Sequence, residues 1–425
     1  MTGPSHIPLE RSATLGEAEA SIRRALLESG LSAQIDVAGN HVRAARCVLL
    51  DSGTPVATGF GKGEPTACRV GSLFEAAEHL YGRHSHIGSD RIAYLEAQDF
   101  CHQTRFADGL PLALLHDSPE ARLPFLRYRE IGGTGQHFLP LALSSPGYLD
   151  AIEADPDLRG EDTFDYTRFE HYSSNSGVAI GVNRTEAAIH GLLESLERDA
   201  LSRFMVQAFV LRDPESIRII DRGSLPTKLA TLAHNVEEEV GNPLEILELK
   251  NRANVPTFCA WLEQKSFRLG VAGYGCSLSV GHAVGRSLYE LAQCHLIGTE
   301  FHGRAWLKAC DTQVFSQLRT LPLHQACAEF DLRAQCNEIG FKLVSYADLQ
   351  APDYTTSAEG YLGHLVRSIR AAGQLPLVAD LTTIGQDQIS VSHSFTTNED
   401  RFFNVRHGKP IFPQSLLESG QQAPC

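Results

Sequence analysis

The chain has 425 residues, 43% hydrophobic and 21% charged, with a formal net charge of −14. That balance describes an ordinary globular protein with room for more than one domain. Its acidity, with no basic stripe, argues against nucleic-acid binding, and no apolar run approaches the ~18 residues needed to span a bilayer. The N-terminal residues are too polar for an export signal. The ten cysteines (Cys47, Cys68, Cys101, Cys259, Cys276, Cys294, Cys310, Cys327, Cys336 and Cys425) are scattered, with no CxxC pair. They are expected to be reduced thiols in a cytoplasmic protein rather than disulfides or zinc ligands.

In chain order, residues 15–31 set Ile22, Leu26, Leu27 and Leu31 along one side of an amphipathic helix. Val42 to Leu50 and Pro55 to Gly61 predict a hairpin around the turn at Asp51–Thr54. A helix over 69–84 follows. Residues 100–170, rich in proline, aromatic and acidic side chains, predict a variable insertion with loops. A helix over 185–207 precedes strands at Glu245–Leu249, Thr257–Leu262 and Val271–Leu278 and a helix over 281–299. Helices at Ala326–Ile339 and Gly360–Ala372 and a strand at Leu375–Asp380 complete a mixed α/β chain.

Three of these helices repeat one pattern. Glu75 and Glu78 follow Ser72, Glu194 and Glu197 precede Arg198, and Glu290 and Gln293 follow Ser287. Residues three apart share a helix face, with Cβ atoms ~5–6 Å apart. A single such pair is ordinary on a solvated face. Here each acid sits among apolar neighbours, such as Leu73, Phe74 and Leu80 around Glu75, or Leu192, Leu193 and Leu196 around Glu194. A buried carboxylate needs a partner or a metal, and several such ledges converging would hold hard divalent cations through oxygen. Glycine-bearing runs precede all three helices: Gly59 to Gly63, Gly177 to Gly181, and Gly273 to Gly275. They predict close backbone approach to a ligand at helix N-termini, although none matches the P-loop or GxGxxG pattern.

The string from Asn175 through Gly177, Gly181, Asn183, Glu186, Glu194 and Glu197 to Arg198 resembles the signature of the YcaO family. The Gly61-Lys62-Gly63 run, the Ser72–Glu78 block, the Ser287–Gln293 block and an opening helix around Ser21 follow the family's order, so the similarity spans residues 15–413. The resemblance implies a single domain over 1–425 with a non-P-loop ATP-binding fold. Its expected parts are an N-terminal helix-hairpin-helix part (15–100), the variable insertion (100–170), a catalytic core (171–413) and a mobile tail (414–425). It assigns Glu75, Glu78, Glu194, Glu197 and Glu290 to Mg²⁺ and nucleotide. Arg198 and Ser21 are assigned to phosphate, and Glu186 and Gln293 to further nucleotide contacts. Lys62 and Arg286 are added as phosphate contacts. His190, just inside the second helix, is the candidate proton carrier.

The activity the resemblance implies is ATP-dependent cyclodehydration of Cys, Ser or Thr in a ribosomally made peptide. The side chain attacks the preceding amide, and the resulting oxygen takes the γ-phosphoryl group and leaves as phosphate. Such chemistry needs positioning and charge neutralisation more than covalent help. Two alternatives stay open: a YcaO enzyme forming a macroamidine or thioamide, and an inactive scaffold or ATP-sensing subunit. A di-iron helix site is disfavoured because Glu75 and His79 are four residues apart rather than three. The base that usually precedes the opening serine falls near Thr14, where Arg11 is the nearest cation. The tail lacks the proline-rich ending of many azoline-forming members, and residues 399–413 are closer to members of bacteriocin synthetases. The expected partners are the precursor peptide, a separate leader-binding protein and an FMN-dependent azoline dehydrogenase, in a homo- or hetero-oligomer. No nucleic-acid or membrane partner is expected.

Overall fold

The computed structural model describes residues 7–104, 106–349, 357–386 and 389–418. Thr14 opens helix α1 (Leu15–Glu28) with a reciprocal cap: its hydroxyl accepts from the Glu17 N–H while the Glu17 carboxylate accepts from the Thr14 N–H. Three antiparallel strands follow, β1 (Leu31–Ala38), β2 (Arg43–Asp51) and β3 (Thr54–Gly63), and then α2 (Pro65–Tyr81), which returns along β3. Strand β1 was not expected. It occupies the edge of its sheet, and although Leu31, Ala33, Ile35 and Val37 alternate with polar residues, none of its side chains is fully buried.

The chain continues through β4 (Ile92–Glu96), β5 (Arg122–Glu130), β6 (Gln136–Pro140), β7 (Val178–Gly181), α3 (Arg184–Met205) and β8 (Arg218–Ile220). Next come α4 (Thr227–Val240), β9 (Leu244–Leu249), β10 (Thr257–Leu262), β11 (Ala272–Cys276) and α5 (Val280–Leu296). Strand β12 (Lys342–Val344), α6 (Ala358–Ala371), β13 (Pro376–Ile384) and β14 (Ile389–Thr396) close the fold. The second sheet has the order β11-β10-β9-β8-β12, antiparallel except for β12 against β8. The third runs β4-β5-β13-β14-β7, with β6 on β5. The 100–170 segment is therefore more than loops, since it supplies two strands of that sheet. The helix expected over 326–339 is two, Pro322–Glu329 and Leu332–Ile339, broken where Phe330 takes φ 52°. Of the expected tail, Gln414–Glu418 form a short helix whose Glu418 meets Arg203 and Arg252; residues 419–425 lie outside the described residues.

Two stretches repeat one order. In both α1-β1-β2-β3-α2 and α4-β9-β10-β11-α5, a helix leads into a three-strand meander, and a second helix folds back over the last strand. The glycines occupy matching places. A Cβ on Gly61 would stand 1.8 Å from the Cys68 carbonyl oxygen of α2, and one on Gly275 would stand 2.2 Å from that of Ala283 on α5. On Gly59 and Gly273 it would meet the Ala76 and Leu291 backbone nitrogens, at 2.1 Å each. These glycines face helices rather than a ligand, which corrects the expectation for both runs. They let α2 and α5 lie directly on strand backbone, and the small Ser72 and Ser287 sit at the contact, their hydroxyls turned back to Arg69 O and Val284 O.

Helix α3 packs on β14, which is buried along its whole length. Ser394 and Thr396 of β14 face Gly191 and Ser195 of α3. Asn183 caps α3 by accepting from the Glu186 N–H at 2.9 Å, a role asparagine fills well at helix N-termini. Gly275→Ala and Gly61→Ala should each lower the urea midpoint, by about 1–3 kcal/mol of stability with an unchanged m-value, because the added methyl overlaps helix backbone. An unshifted midpoint in both variants would show that the helices can move away freely.

Candidate functional site

Each acid reaches the site because its helix is held tightly against a strand. From α2, Glu78 accepts from the Ile180 N–H of β7 at 2.9 Å, tying the first sheet's helix to the third sheet. Glu75 accepts from the backbone at Phe60. From α3, Glu194 accepts from the Gly177 N–H at 3.3 Å. Lys62, near the end of β3, pairs its Nζ with Glu290 of α5, joining the two repeated units directly. Arg198 lies 3.6 Å from Glu194 and 3.8 Å from Glu197, with the Tyr274 and Phe403 rings 5.7 and 5.8 Å from its guanidinium carbon. Arg286, one turn before Glu290, places Nη1 3.3 Å from Glu10.

A second ring of contacts comes from the segment before α1. Glu10, buried and at φ 69°, accepts from Ser277 Oγ at 2.5 Å and the Tyr361 hydroxyl at 2.8 Å. Arg11 donates to Glu186 at 2.9 Å, and the Ser12 N–H reaches the same carboxylate at 3.2 Å. Sequence reading missed Glu10, Tyr361 and the rings around Arg198, and took Arg11 only as the nearest base. Glu10 has no motif around it, and its partners are hundreds of residues away.

The electrostatics follow from crowding carboxylates in a largely buried site. Burial, then the charges of Glu194 and Glu75, push Glu78 well above the ordinary carboxylate range. Burial raises Glu75 as well, against His79 and Lys62. Burial and Glu290 push Glu197 up to about 7. Burial would raise Glu290 too, but Lys62, Arg198 and Arg286 outweigh it and hold Glu290 below its ordinary value. For Arg198, burial is overcome by Glu197, Glu194 and Glu290, so its guanidinium is held more firmly charged. His190 is pushed the other way, well below its ordinary value, by burial and then by Arg11, Arg286 and Lys62. Its Nδ1 has no hydrogen-bond partner among the described residues, so the site contains a neutral imidazole.

Seven carboxylates (Glu10, Glu75, Glu78, Glu186, Glu194, Glu197, Glu290) thus face four cations (Arg11, Lys62, Arg198, Arg286). Carboxylates pushed upward by one another are a donor set short of positive charge, and this fits a divalent cation. Among the described residues no three His, Cys, Asp or Glu side chains stand together as a complete cage. That also fits Mg²⁺, which is commonly held by one or two carboxylates together with water and substrate phosphates. Ser21 lies midway along α1, which packs on α2, and Gln293 is buried one turn beyond Glu290. Beside Arg286 and His282, a cleft of about 540 Å³ opens between α4 and α5, walled by Leu229, Leu232 and Tyr289.

The raised Glu197 gives a pH prediction for the ligand-free protein. Its folded value of about 7 exceeds the unfolded value of 4.5, so the stability tied to its protonated form is full below pH 4.5 and lost as pH rises through 7. Glu197→Gln should therefore be more stable than the parent at pH 8, on the order of 1–3 kcal/mol, and equal to it near pH 4.5. Chemical denaturation at the two pH values checks this; a gain of equal size at both would sink the charge explanation.

A family model described as YcaO cyclodehydratase, ATP- and Mg²⁺-binding, matches residues 60–393. No curated protein matches the sequence. Among solved structures, YcaO from Methanopyrus kandleri, bound with AMPPCP and Mg²⁺, is similar at a TM-score of 0.64 and 20% identity, covering 92% of this chain and 93% of that one. A heterocyclase in complex with substrate and cofactor gives 0.63 and 16%, covering 92% of this chain and 53% of the other. The Escherichia coli microcin synthetase McbBCD complex gives 0.53 and 15%, with 86% of each chain covered. At these identities the structural likeness is one of fold, and it agrees with the mixed α/β architecture. The family match runs through all three acid-bearing helices and over well more than half of the chain, so the protein belongs to the YcaO cyclodehydratase family, which binds ATP and Mg²⁺.

Proposed function

We propose that the chain uses ATP and Mg²⁺ to activate backbone amides of a ribosomally synthesised peptide, cyclodehydrating Cys, Ser or Thr to thiazoline or oxazoline within a bacteriocin-type synthetase. The observation that carries this reading is the meeting of Glu75, Glu78, Glu194, Glu197 and Glu290 around Lys62 and Arg198, from three helices distant in sequence. The family description and the heterocyclase and synthetase relatives support it.

ATP, when bound with Mg²⁺, supplies the phosphoryl group that turns the former amide oxygen into a leaving group. One or two of the five glutamates at a time, together with phosphate oxygens, would hold each cation, and Lys62 and Arg198, released in part from their carboxylates, would face phosphate oxygens. A guanidinium serves there through a fixed fork of donors. Arg286 and Arg11, anchored by Glu10 and Glu186, would keep the field around the phosphates positive without moving far. The apolar walls beside Arg286 suit a purine. His190, neutral and unpartnered at Nδ1, is the candidate to accept the proton of the attacking thiol or hydroxyl, a role its burial beside Arg11, Arg286 and Lys62 makes weak in the free protein. The precursor peptide would be presented by a leader-binding partner. An FMN-dependent dehydrogenase would oxidise azoline to azole.

The test is to incubate the protein with ATP, Mg²⁺, the precursor peptide and the candidate partner, and to weigh the peptide. Loss of one water per modified residue supports cyclodehydration, whereas exchange of oxygen for sulfur or an unchanged mass overturns it. Glu75→Gln, Glu194→Gln and Glu290→Gln should each lower turnover by roughly 100-fold or more while leaving the fold intact, the usual scale for losing one charge-stabilising group. Near-parental activity in two of the three would refute the roles assigned. Arg198→Lys should lose about tenfold or more in kcat at saturating ATP, because an ammonium cannot bridge two phosphate oxygens. Full activity in that variant would make Arg198 a helix-pinning charge instead.

A further inference from the structure

A second cleft, of about 660 Å³, lies outside the acid site. It opens between the helix Pro146–Ala154, the Asp165–Ser173 segment, and the turn Phe402–His407 with the three residues after it. Its size is within the roughly 300–1,000 Å³ of ordinary ligand sites. Two structural connections lead from it to Arg198 and Glu194. Phe403, on the inner side of the turn, stands 5.8 Å from the Arg198 guanidinium, and His407, ending the same turn, lines the cleft. Burial, with Arg198, Arg406 and Lys409, holds the His407 imidazole down at about 4, so the charge of Arg198 reaches the cleft wall. On the other side, Lys409 donates to Ser173 O at 2.7 Å, and that stretch runs on to Gly177, whose N–H reaches Glu194.

The walls carry a definite charge. Asp150, Glu153, Asp165 and Glu170 line the cleft, are exposed, and form no ion pair among the described residues. The lining also holds two permanent cations, Arg159 and Lys409, hydrogen-bonded to the carbonyls of Phe164 and Ser173, so its four carboxylates outnumber them by two. Between the acids, Pro146, Leu149 and Pro410 supply apolar steps among polar Thr167, His171 and Gln317. This excess of exposed carboxylates around apolar steps complements an extended peptide bearing lysine or arginine, and such complementarity sets specificity and approach rate.

We infer that this cleft seats a short basic segment of the peptide substrate and leads the neighbouring residue toward Arg198. The inference rests on the peptide-modifying reading above. It is tested on the full-length protein with AMPPCP and Mg²⁺ by fluorescence anisotropy. The probes are two labelled synthetic peptides, one of alternating lysine and glycine with a central cysteine, the other with glutamate in place of lysine. The lysine peptide should bind the parent at least ~10-fold more tightly than the glutamate peptide, and the double variant Glu153→Lys with Glu170→Lys should erase or invert that preference. AMPPCP affinity should stay unchanged in the variant, since neither residue belongs to the acid site. A benzophenone on the lysine peptide should mark residues 146–173 or 407–410. Equal binding of the two peptides, an unaltered preference in the variant, or cross-links elsewhere would each overturn the inference. Should AMPPCP fail to bind, or no cysteine peptide ever lose water, the function proposed above fails instead, while the preference and the cross-link map still decide the cleft.

Discussion

The contact on which the site depends is backbone against backbone, between α2 and β3 and between α5 and β11. At Gly59, Gly61, Gly273 and Gly275 there is no room for even a methyl group. Interiors are packed densely enough that such a contact leaves a helix little freedom to slide. The glutamates at 75 and 290 sit within a residue of these contacts, so their positions are inherited from the strands beneath them. A polar site on side chains alone would drift; here the main chain sets its dimensions.

That rigidity makes the charge arrangement possible. Three more carboxylates than cations are held together in a place where like charges cannot relax apart, and burial raises the cost further. Part of the repulsion is relieved by protons, as the upward displacement of Glu78 and Glu197 indicates, and part by the Lys62–Glu290 and Arg198 pairs. In the proposed function, a cation with phosphates would relieve the remainder, and loading of the site would be coupled to its stability.

How much of this is legible in the sequence depends on locality. The three acid-bearing helices and strands β9, β10 and β11 rest on short-range patterns, and those positions agree with the structure to within a few residues, whereas the three-residue strands β8 and β12 of the same sheet carry no such pattern. Strand β14 was not expected, although Ser390, Ser392, Ser394 and Thr396 alternate with Ile389, Val391 and Phe395, a pattern that reads as a strand with one solvated face. In the fold that polar face is covered by α3, where Gly191 and Ser195 meet it. The glycine runs were visible, but their partner was not. A glycine marks close approach without saying to what, and here it is a helix. Glu10 shows the limit most clearly, since Ser277, Arg286 and Tyr361 give it meaning only in three dimensions.

The repeated units also explain why the third motif ends in glutamine. Aligned on Gly61 with Gly275 and Ser72 with Ser287, Glu75 corresponds to Glu290 and Glu78 to Gln293, while Gly71 corresponds to Arg286 and Lys62 to Cys276. The two units are therefore alike in backbone but differ in charge supply. The first brings two acids and a lysine at its strand end; the second brings one acid, a neutral amide and an arginine one turn earlier. A glutamate at 293 would add a further buried negative charge to a cluster that already lacks cations. The glutamine keeps hydrogen-bonding capacity there without that charge. Lys62 then reaches from the first unit to the acid of the second, so the pairing that joins the two units is also the one that balances them.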